Sequence, residues 1–324
     1  MGVVRSVLAA VLAFAACAAF SAQADDWPSR PIIIVTGFPT GAGTDIYARL
    51  LSEPLGKALG VNVVVEARTG AGGNVGSDYV AHARPDGYTL LLGTAGTHAI
   101  NVTLYQKLPF DVEKDFQPIT LLGDVPNVLI VNNDVPAKTV REFIALAKAN
   151  PGKLNYSSAG NGTSLHLAGE RFKALAKVDI VHVPFRGTPP AATALLANEV
   201  QAAFPPSISV MELIKAGSVR ALGVTTEQRV EALPDIPTIS EAGLPGYESS
   251  IWYGLFAPAK TPRPIIDRLN REVVKIVRTP EFAQRLKSLG ITPRTSTPEE
   301  FAQIIKDDIV RWRGIVIESG AKLD

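Results

Sequence analysis

Ile32, Ile33, Ile34 and Val35 form an apolar run that passes through Thr36-Gly37-Phe38-Pro39 into Thr40-Gly41-Ala42-Gly43-Thr44-Asp45, where helical spacing begins. This is the grammar of a buried strand, a glycine turn and a helix start. The same order returns at Leu154-Asn155-Tyr156-Ser157-Ser158, followed by Ala159-Gly160-Asn161-Gly162-Thr163-Ser164 and a second helix start. A strand that feeds a helix in this way rejoins its sheet by a crossover, which restricts the chain to α/β layers around a mainly parallel sheet. Each junction also leaves backbone N–H groups unpaired at the positive end of a helix dipole, a place where a carboxylate or phosphate can sit. Two anion-ready turns in one chain point to a single ligand held between two halves.

A chain of 324 residues exceeds what one compact core normally holds, so two α/β lobes are expected. The first is discontinuous, taking residues 25–123 and 226–324, and the second takes 124–225. A composition 46% apolar and 19% charged fits a globular chain. The formal net charge is +1 and no cluster of Lys and Arg interleaves with aromatic residues, which argues against nucleic acid as a partner.

Arg5 precedes a small-apolar run over residues 6–20, and Ser21-Ala22-Gln23-Ala24 supplies a small-x-small cleavage site before Asp25-Asp26. A secretory signal peptide over residues 1–24 is expected, cut after Ala24. The run falls short of the ~20 apolar residues that span a bilayer. The single cysteine, Cys17, lies inside it. Phe14 is a poor residue three places before a lipidated cysteine, so cleavage after Ala24 is the preferred reading. Removal of the peptide leaves no thiol, which excludes a catalytic cysteine and any disulfide. An exported, cysteine-free, two-lobed chain belongs in a bacterial periplasm.

Along the first half, a helix over 45–59 carries Ile46, Leu50, Leu51, Leu55 and Leu59 on one face, and Pro54 is expected to bend or break it. Strands follow at 61–65 and 88–92, with the glycine turn Thr69-Gly70-Ala71-Gly72-Gly73-Asn74 between them. The stretch 108–118 breaks the rhythm, and the crossing into the second lobe is placed at 122–126. There a strand at 127–132 precedes a helix opened by the capping box Thr139-Val140-Arg141-Glu142. Strands at 179–185, 200–204 and 219–225 and helices at 190–198 and 210–215 complete that lobe. The return brings a strand at 249–256, helices at 264–277 and 279–289, and a last helix opened by Thr297-Pro298-Glu299-Glu300. Phe301, Ile304, Ile305, Ile309 and Trp312 form its apolar face.

Neither glycine turn binds a nucleotide by a known motif. Residues 41–45 lack the Gly-Lys-Ser/Thr ending of a P-loop, and residues 70–76 put other residues where a dinucleotide fingerprint needs glycine. A buried carboxylate, costly unless hydrogen-bonded, is served by the N–H groups of Gly43, Thr44, Gly162 and Thr163 and the hydroxyls of Thr44, Thr163 and Ser164. Arg186, in Pro184-Phe185-Arg186-Gly187, is a cation placed to assist. Asp45 reads as the helix N-cap. His82, His98, His166 and His182 show no metal-ligand spacing, so neither metal nor cofactor is expected. Ser164, His166 and a distant carboxylate are compatible with a triad, but no Gly-x-Ser-x-Gly elbow surrounds the serine. A periplasmic hydrolase of carboxylate esters is the alternative reading, and a non-enzyme the preferred one.

The chain resembles the periplasmic solute receptors of tripartite tricarboxylate transporters, the Bug or TctC-like family. The resemblance rests on Trp27-Pro28-Ser29-Arg30-Pro31, residues 41–45, Gly70-Ala71-Gly72-Gly73-Asn74, Pro85-Asp86-Gly87-Tyr88-Thr89-Leu90 and residues 158–164. It continues through His182-Val183-Pro184-Phe185-Arg186-Gly187, Leu233-Pro234-Asp235-Ile236-Pro237-Thr238 and Glu241-Ala242-Gly243-Leu244-Pro245-Gly246, spanning nearly all of the mature chain in order. It implies a two-lobed periplasmic binding fold that closes on a small carboxylate and delivers it to membrane permease subunits. It further implies that the turns 41–45 and 160–164 contact the proximal carboxylate, and that the 93–97 turn, with Thr94 and Ala95, and Phe185 line the cleft.

The candidate ligand-binding residues are thus Phe38, Thr40, Gly41, Ala42, Gly43, Thr44 and Asp45 from the first turn, and Gly160, Asn161, Gly162, Thr163 and Ser164 from the second. Thr94, Ala95, Phe185, Arg186 and Pro205 join them. The chain departs from the family pattern where Thr40 replaces the usual proline and Ala42 the usual glycine. Pro205-Pro206 also replaces a polar pair that commonly includes aspartate. Loss of that acid argues against an amino-acid ligand and for a simple carboxylate, a dicarboxylate or an apolar or aromatic acid. A monomer is expected.

Overall fold

The structure, a computed structural model, describes residues 27–319; the expected signal peptide, Cys17 and the Ala24 cleavage site lie outside the described residues. The chain opens with β1 (Ile32–Thr36), α1 (Gly43–Leu59), β2 (Val63–Ala67), α2 (Asn74–Ala81) and β3 (Thr89–Thr94). A π-helical turn over Gly96–Ile100 then leads to α3 (Asn101–Leu104) and β4 (Phe116–Val125). The second group is β5 (Val128–Val131), α4 (Val140–Ala149), β6 (Asn155–Ser158), α5 (Ser164–Ala176), β7 (Val181–Pro184), α6 (Thr188–Leu196), β8 (Ala202–Ala203), α7 (Ser207–Lys215) and β9 (Arg220–Val224). The chain then returns through β10 (Ile251–Pro258), α8 (Arg263–Val277), α9 (Pro280–Ser288) and α10 (Pro298–Ser319).

Two five-stranded sheets result, ordered β2-β1-β3-β10-β4 and β7-β6-β8-β5-β9. The parallel pairing required by the strand–turn–helix junctions is found in β2-β1-β3 and in β7-β6-β8. Both sheets are mixed, because β10, β4, β5 and β9 pair antiparallel. These are the strands that carry the chain from one sheet to the other. It leaves the first sheet between Val125 and Val128 and returns between Val224 and Ile251. The two crossings are tied side by side: Asn127 N–H donates to Thr225 Oγ1 (2.9 Å), and the Thr225 N–H donates to the Asn127 carbonyl (3.0 Å).

Strand β4 was not legible in the sequence. Its run Phe-Gln-Pro-Ile-Thr-Leu-Leu-Gly-Asp-Val contains Pro118 and Gly123, which read as breaks, and its pairing with β10 has register shifts that absorb irregularities of this kind. Pro54 does not break α1, which runs unbroken from Gly43 to Leu59. Its ring and the Leu50 carbonyl it leaves without an i+4 donor belong to half-exposed residues, so the missing bond falls away from the buried face of the helix. The capping box at Thr297 is reciprocal, with Glu300 N–H on Thr297 Oγ1 (3.1 Å) and Thr297 N–H on Glu300 Oε2 (2.8 Å).

The last helix closes the first lobe. Phe301, Ile305, Ile309 and Trp312 are buried in the cluster that contains the first sheet, and α10 packs on β4 and the π-turn. Burial of each such side chain stabilises by roughly 1.5–3 kcal/mol. Gly254 on β10 is required here, since any Cβ would overlap the Phe301 ring. The same cluster includes Leu167 of α5 and Ile208 of α7, so the two groups of elements share apolar contact. Among the described residues no helix is long and apolar enough to cross a membrane.

Inside this core His98 is fully buried, stacked on Phe256 with ring centroids 4.1 Å apart, and its Nδ1 is 2.8 Å from Thr97 Oγ1. Burial pushes its pKa down to about 3. The unfolded chain takes up the proton near pH 6.5 and the folded protein does not. Stability is therefore whole above that pH and declines by about 1.4 kcal/mol per pH unit per such histidine as the pH falls toward 3. Chemical denaturation between pH 7 and pH 4 should show a shallower decline for His98→Phe than for the parent chain. Equal slopes would contradict this assignment.

Candidate ligand-binding site

In the first turn the N-cap of α1 is Ala42, whose backbone is extended and whose side chain cannot cap. Asp45 is thus not the N-cap expected from sequence; it is the third helical residue, and its Oδ2 reaches back to accept from Gly41 N–H at 2.9 Å. Its carboxylate is 2% exposed and also pairs with Arg49 at 3.0 Å. With Asp45 occupied by Gly41, the N–H groups of Gly43 and Thr44 are first-turn donors with no acceptor inside the helix. Thr44 is buried, and its Oγ1 has no partner among the described residues.

Gly43 has no room for a side chain. A Cβ there would overlap the Tyr253 hydroxyl of β10, lie 2.8 Å from Ile208 Cγ2 and 3.2 Å from Ser209 Oγ of α7. The start of α1 is therefore where an element of the first sheet touches a helix of the second.

The second turn is tightened by its own bonds. Thr163 stands at the N-cap of α5 but donates its Oγ1 to the Gly160 carbonyl (2.7 Å), as does its N–H (3.3 Å). Gly162 N–H donates to His166 Nδ1 at 3.2 Å. The Gly162 and Thr163 N–H groups are thus spent within the turn, leaving the Ser164 end of α5 to face outward. The His166 ring stacks on His182 at 4.1 Å, and His182 Nε2 is 2.6 Å from Ser158 Oγ. Burial holds both imidazoles below the ordinary histidine range, His182 at about 3. With His166 Nδ1 occupied by Gly162, no Ser164–His166 hydrogen bond forms, and the triad compatible with the sequence is not assembled.

The two turns face a pair of adjoining chambers. An inner one of about 30 Å³ is lined by Ala42, Gly43, Thr44, Thr94, Gly96 and Tyr253 from the first group of elements, and by Thr163, Ser164, Leu165, Thr188 and Pro206 from the second. That volume suits one small head group. An outer chamber of about 450 Å³ is lined by the 70–73 glycine turn, Tyr105, Gly160, Asn161, Phe185 and Arg186. Phe38 and Ala159 border both. Among the described lining residues no side chain is acidic, and Arg186, which is exposed, is the charged one.

Of the residues named from sequence, Thr40, Gly41, Asp45, Ala95, Gly162 and Pro205 lie outside both linings. The inner lining also includes Leu165, Thr188, Pro206, Ile251 and Tyr253, which the sequence reading does not name among its candidates. Pro206 adjoins a proline already singled out; Ile251 and Tyr253 sit on a strand whose apolar pattern gives no sign that one end meets a cavity.

Two α/β sheets joined by paired crossings, with helix starts from each meeting at a small donor-lined chamber, define the two-lobed solute-binding architecture. Residues 47–321 match the family model described as tripartite tricarboxylate transporter family receptor, and the chain belongs to that family. A protein from the tcbD–tcbE intergenic region of Pseudomonas sp. strain P51 is 40% identical over 97% of this chain and 94% of its own. An R. palustris protein solved with adipate superposes with a TM-score of 0.89 at 34% identity, covering 91% of this chain and 99% of that one. MatC from Rhodopseudomonas palustris, solved with bound malate, gives 0.85 at 35% identity over 90% and 100%.

The close approach at Gly43 generates a direct expectation. Gly43→Val should wedge α1 from α7 and Tyr253, raising the radius of gyration in small-angle X-ray scattering while far-ultraviolet circular dichroism stays that of the parent chain. Unchanged scattering would show that Gly43 does not govern the approach of the two lobes.

Proposed function

We propose that this chain is an extracytoplasmic receptor that binds a small carboxylate between its lobes, residues 25–123 with 226–324 and residues 124–225, and delivers it to the permease subunits of a tripartite tricarboxylate transporter. The observation that carries this reading is the composition of the inner chamber. Hydrogen-bond donors come from both groups of elements, and among the described residues no acidic side chain lines it. A carboxylate head group placed at Gly43 and Thr44 takes the first-turn N–H groups of α1 and the unspent Thr44 hydroxyl, while Ser164 approaches from α5. The body of the ligand then passes Phe38 into the outer chamber, where Arg186 favours a polar or anionic end. Adipate and malate, bound by the two solved relatives, have this form.

A zwitterionic amino acid is disfavoured because its ammonium group finds no counter-charge among the described residues of either chamber. Closure about the two crossings at Asn127 and Thr225 couples binding to the shape a transporter recognises. Micromolar affinity, about −8 kcal/mol, is within reach of a few charge-assisted hydrogen bonds. The leader-like sequence over residues 1–24 supports export to the periplasm, and the protein acts as a monomer and a non-enzyme.

Native mass spectrometry of protein purified without refolding, followed by calorimetry with adipate, malate, benzoate, acetate and a set of amino acids, tests the proposal. Binding of a non-amino-acid carboxylate with no turnover is expected. Binding of amino acids alone, or hydrolysis of carboxylate esters abolished by Ser164→Ala, would overturn it.

A further inference from the structure

Buried tyrosines in this fold spend their hydroxyls on protein acceptors. Tyr47 donates to the Leu122 carbonyl (2.7 Å), Tyr247 to the Ala168 carbonyl (2.8 Å) and Tyr156 to Glu170 Oε1 (2.6 Å). Tyr253 is different. It is 2% exposed, held by pairing in register with Thr94 of β3 and by an edge contact with Tyr47 (6.1 Å, 82°). Yet its hydroxyl makes no hydrogen bond among the described residues, and it stands against Gly43 at the wall of the inner chamber. Burial raises its pKa, so the phenol stays protonated and able to donate.

Two further hydroxyls share this position. Thr44 Oγ1 and Ser209 Oγ are buried without a partner among the described residues, the first in the lining of the chamber and the second adjoining Gly43 from α7. Two elements, β10 and α1, thus bring unspent hydroxyls to the chamber wall where α1 begins, and α7 brings a third against Gly43 outside that lining. Unpaired polar groups are costly in a folded interior, and what these lack in common is an acceptor.

We infer that Tyr253 is a specificity-determining residue of the site, its hydroxyl donating a hydrogen bond to an ionised acid head group seated at Gly43 and Thr44, with Ser209 joining from the second lobe. This rests on the carboxylate-receptor reading above. The consequence is selectivity by donor count. An ionised acid offers lone pairs to every group in the ring, whereas a primary amide or an ammonium brings N–H groups against the N–H groups of α1 and is refused. Because Ser209 arrives from the other side, the head group that satisfies Tyr253 also draws α7 toward α1.

The test compares the parent chain with Tyr253→Phe, a change that keeps the ring and its packing on Tyr47. Calorimetry with adipate, malate, benzoate and acetate should show the tightest of these acids bound roughly tenfold to a hundredfold more weakly by the variant. The unliganded thermal midpoint should stay that of the parent. As an independent readout, protein labelled with ¹³Cζ-tyrosine should show one resonance, absent from the Tyr253→Phe spectrum, that moves when the acid is added. Affinities within twofold of each other, or a Tyr253 resonance that does not move, would overturn the assignment and leave the receptor reading standing. If no acid binds the parent chain, the receptor reading itself falls and takes the assignment with it.

Discussion

A helix cannot satisfy the N–H groups of its own first turn, and this fold brings two such helix starts to a common boundary. Helix α1 begins there at Gly43, against Tyr253 and α7, and α5 begins there at Ser164. The two starts are not equivalent. The second turn has folded its donors inward, onto Gly160 and His166, and is thereby stiffened. The first keeps the Gly43 and Thr44 donors open because Asp45 reaches back to Gly41, outside the helix, and leaves them alone. One lobe thus supplies the open donors, and the other a preformed wall.

The rest of the structure holds these starts in place. The antiparallel strands β10, β4, β5 and β9 carry the chain across twice, and the Asn127–Thr225 hydrogen bonds fix the crossings side by side. Tyr253 and Ile251 lie on β10 just after the return crossing, so the floor of the inner chamber is built by the same strand that leaves the connection. Under the second turn the stacked His166 and His182 act as neutral packing, and their depressed pKa values follow from burial. Among the described lining residues none is acidic, and the proposed preference for an anionic head group rests on that.

Much of this was legible in the sequence, and for identifiable reasons. Apolar runs and glycine turns located both strand–turn–helix junctions, because period and turn chemistry are local properties. The helix starts at Thr139 and Thr297 were equally readable, since each Thr Oγ1 accepts from the N–H three residues on, although at Thr139 the return bond to Glu142 comes from Lys138 N–H and only the Thr297 box is reciprocal. Strand β4 was hidden by Pro118 and Gly123, which a bulged edge strand tolerates and a local pattern cannot distinguish from a loop. Asp45 was misplaced by three positions because Asp is a good N-cap and equally a good third residue that reaches back. Tyr253 could not have been found by spacing: it meets Gly43 across 210 positions of sequence, and only the pairing of β10 with β3 brings it there.

On the proposed reading an acid head group occupies the start of α1 between the lobes. A crystal structure of the protein grown with adipate tests it most directly. One carboxylate should lie with its oxygens within hydrogen-bond distance of the Gly43 or Thr44 N–H groups, with Ser164 approaching from the other side. Adipate bound elsewhere, with the Gly43 and Thr44 donors turned away from it, would contradict a head-group site at the start of α1.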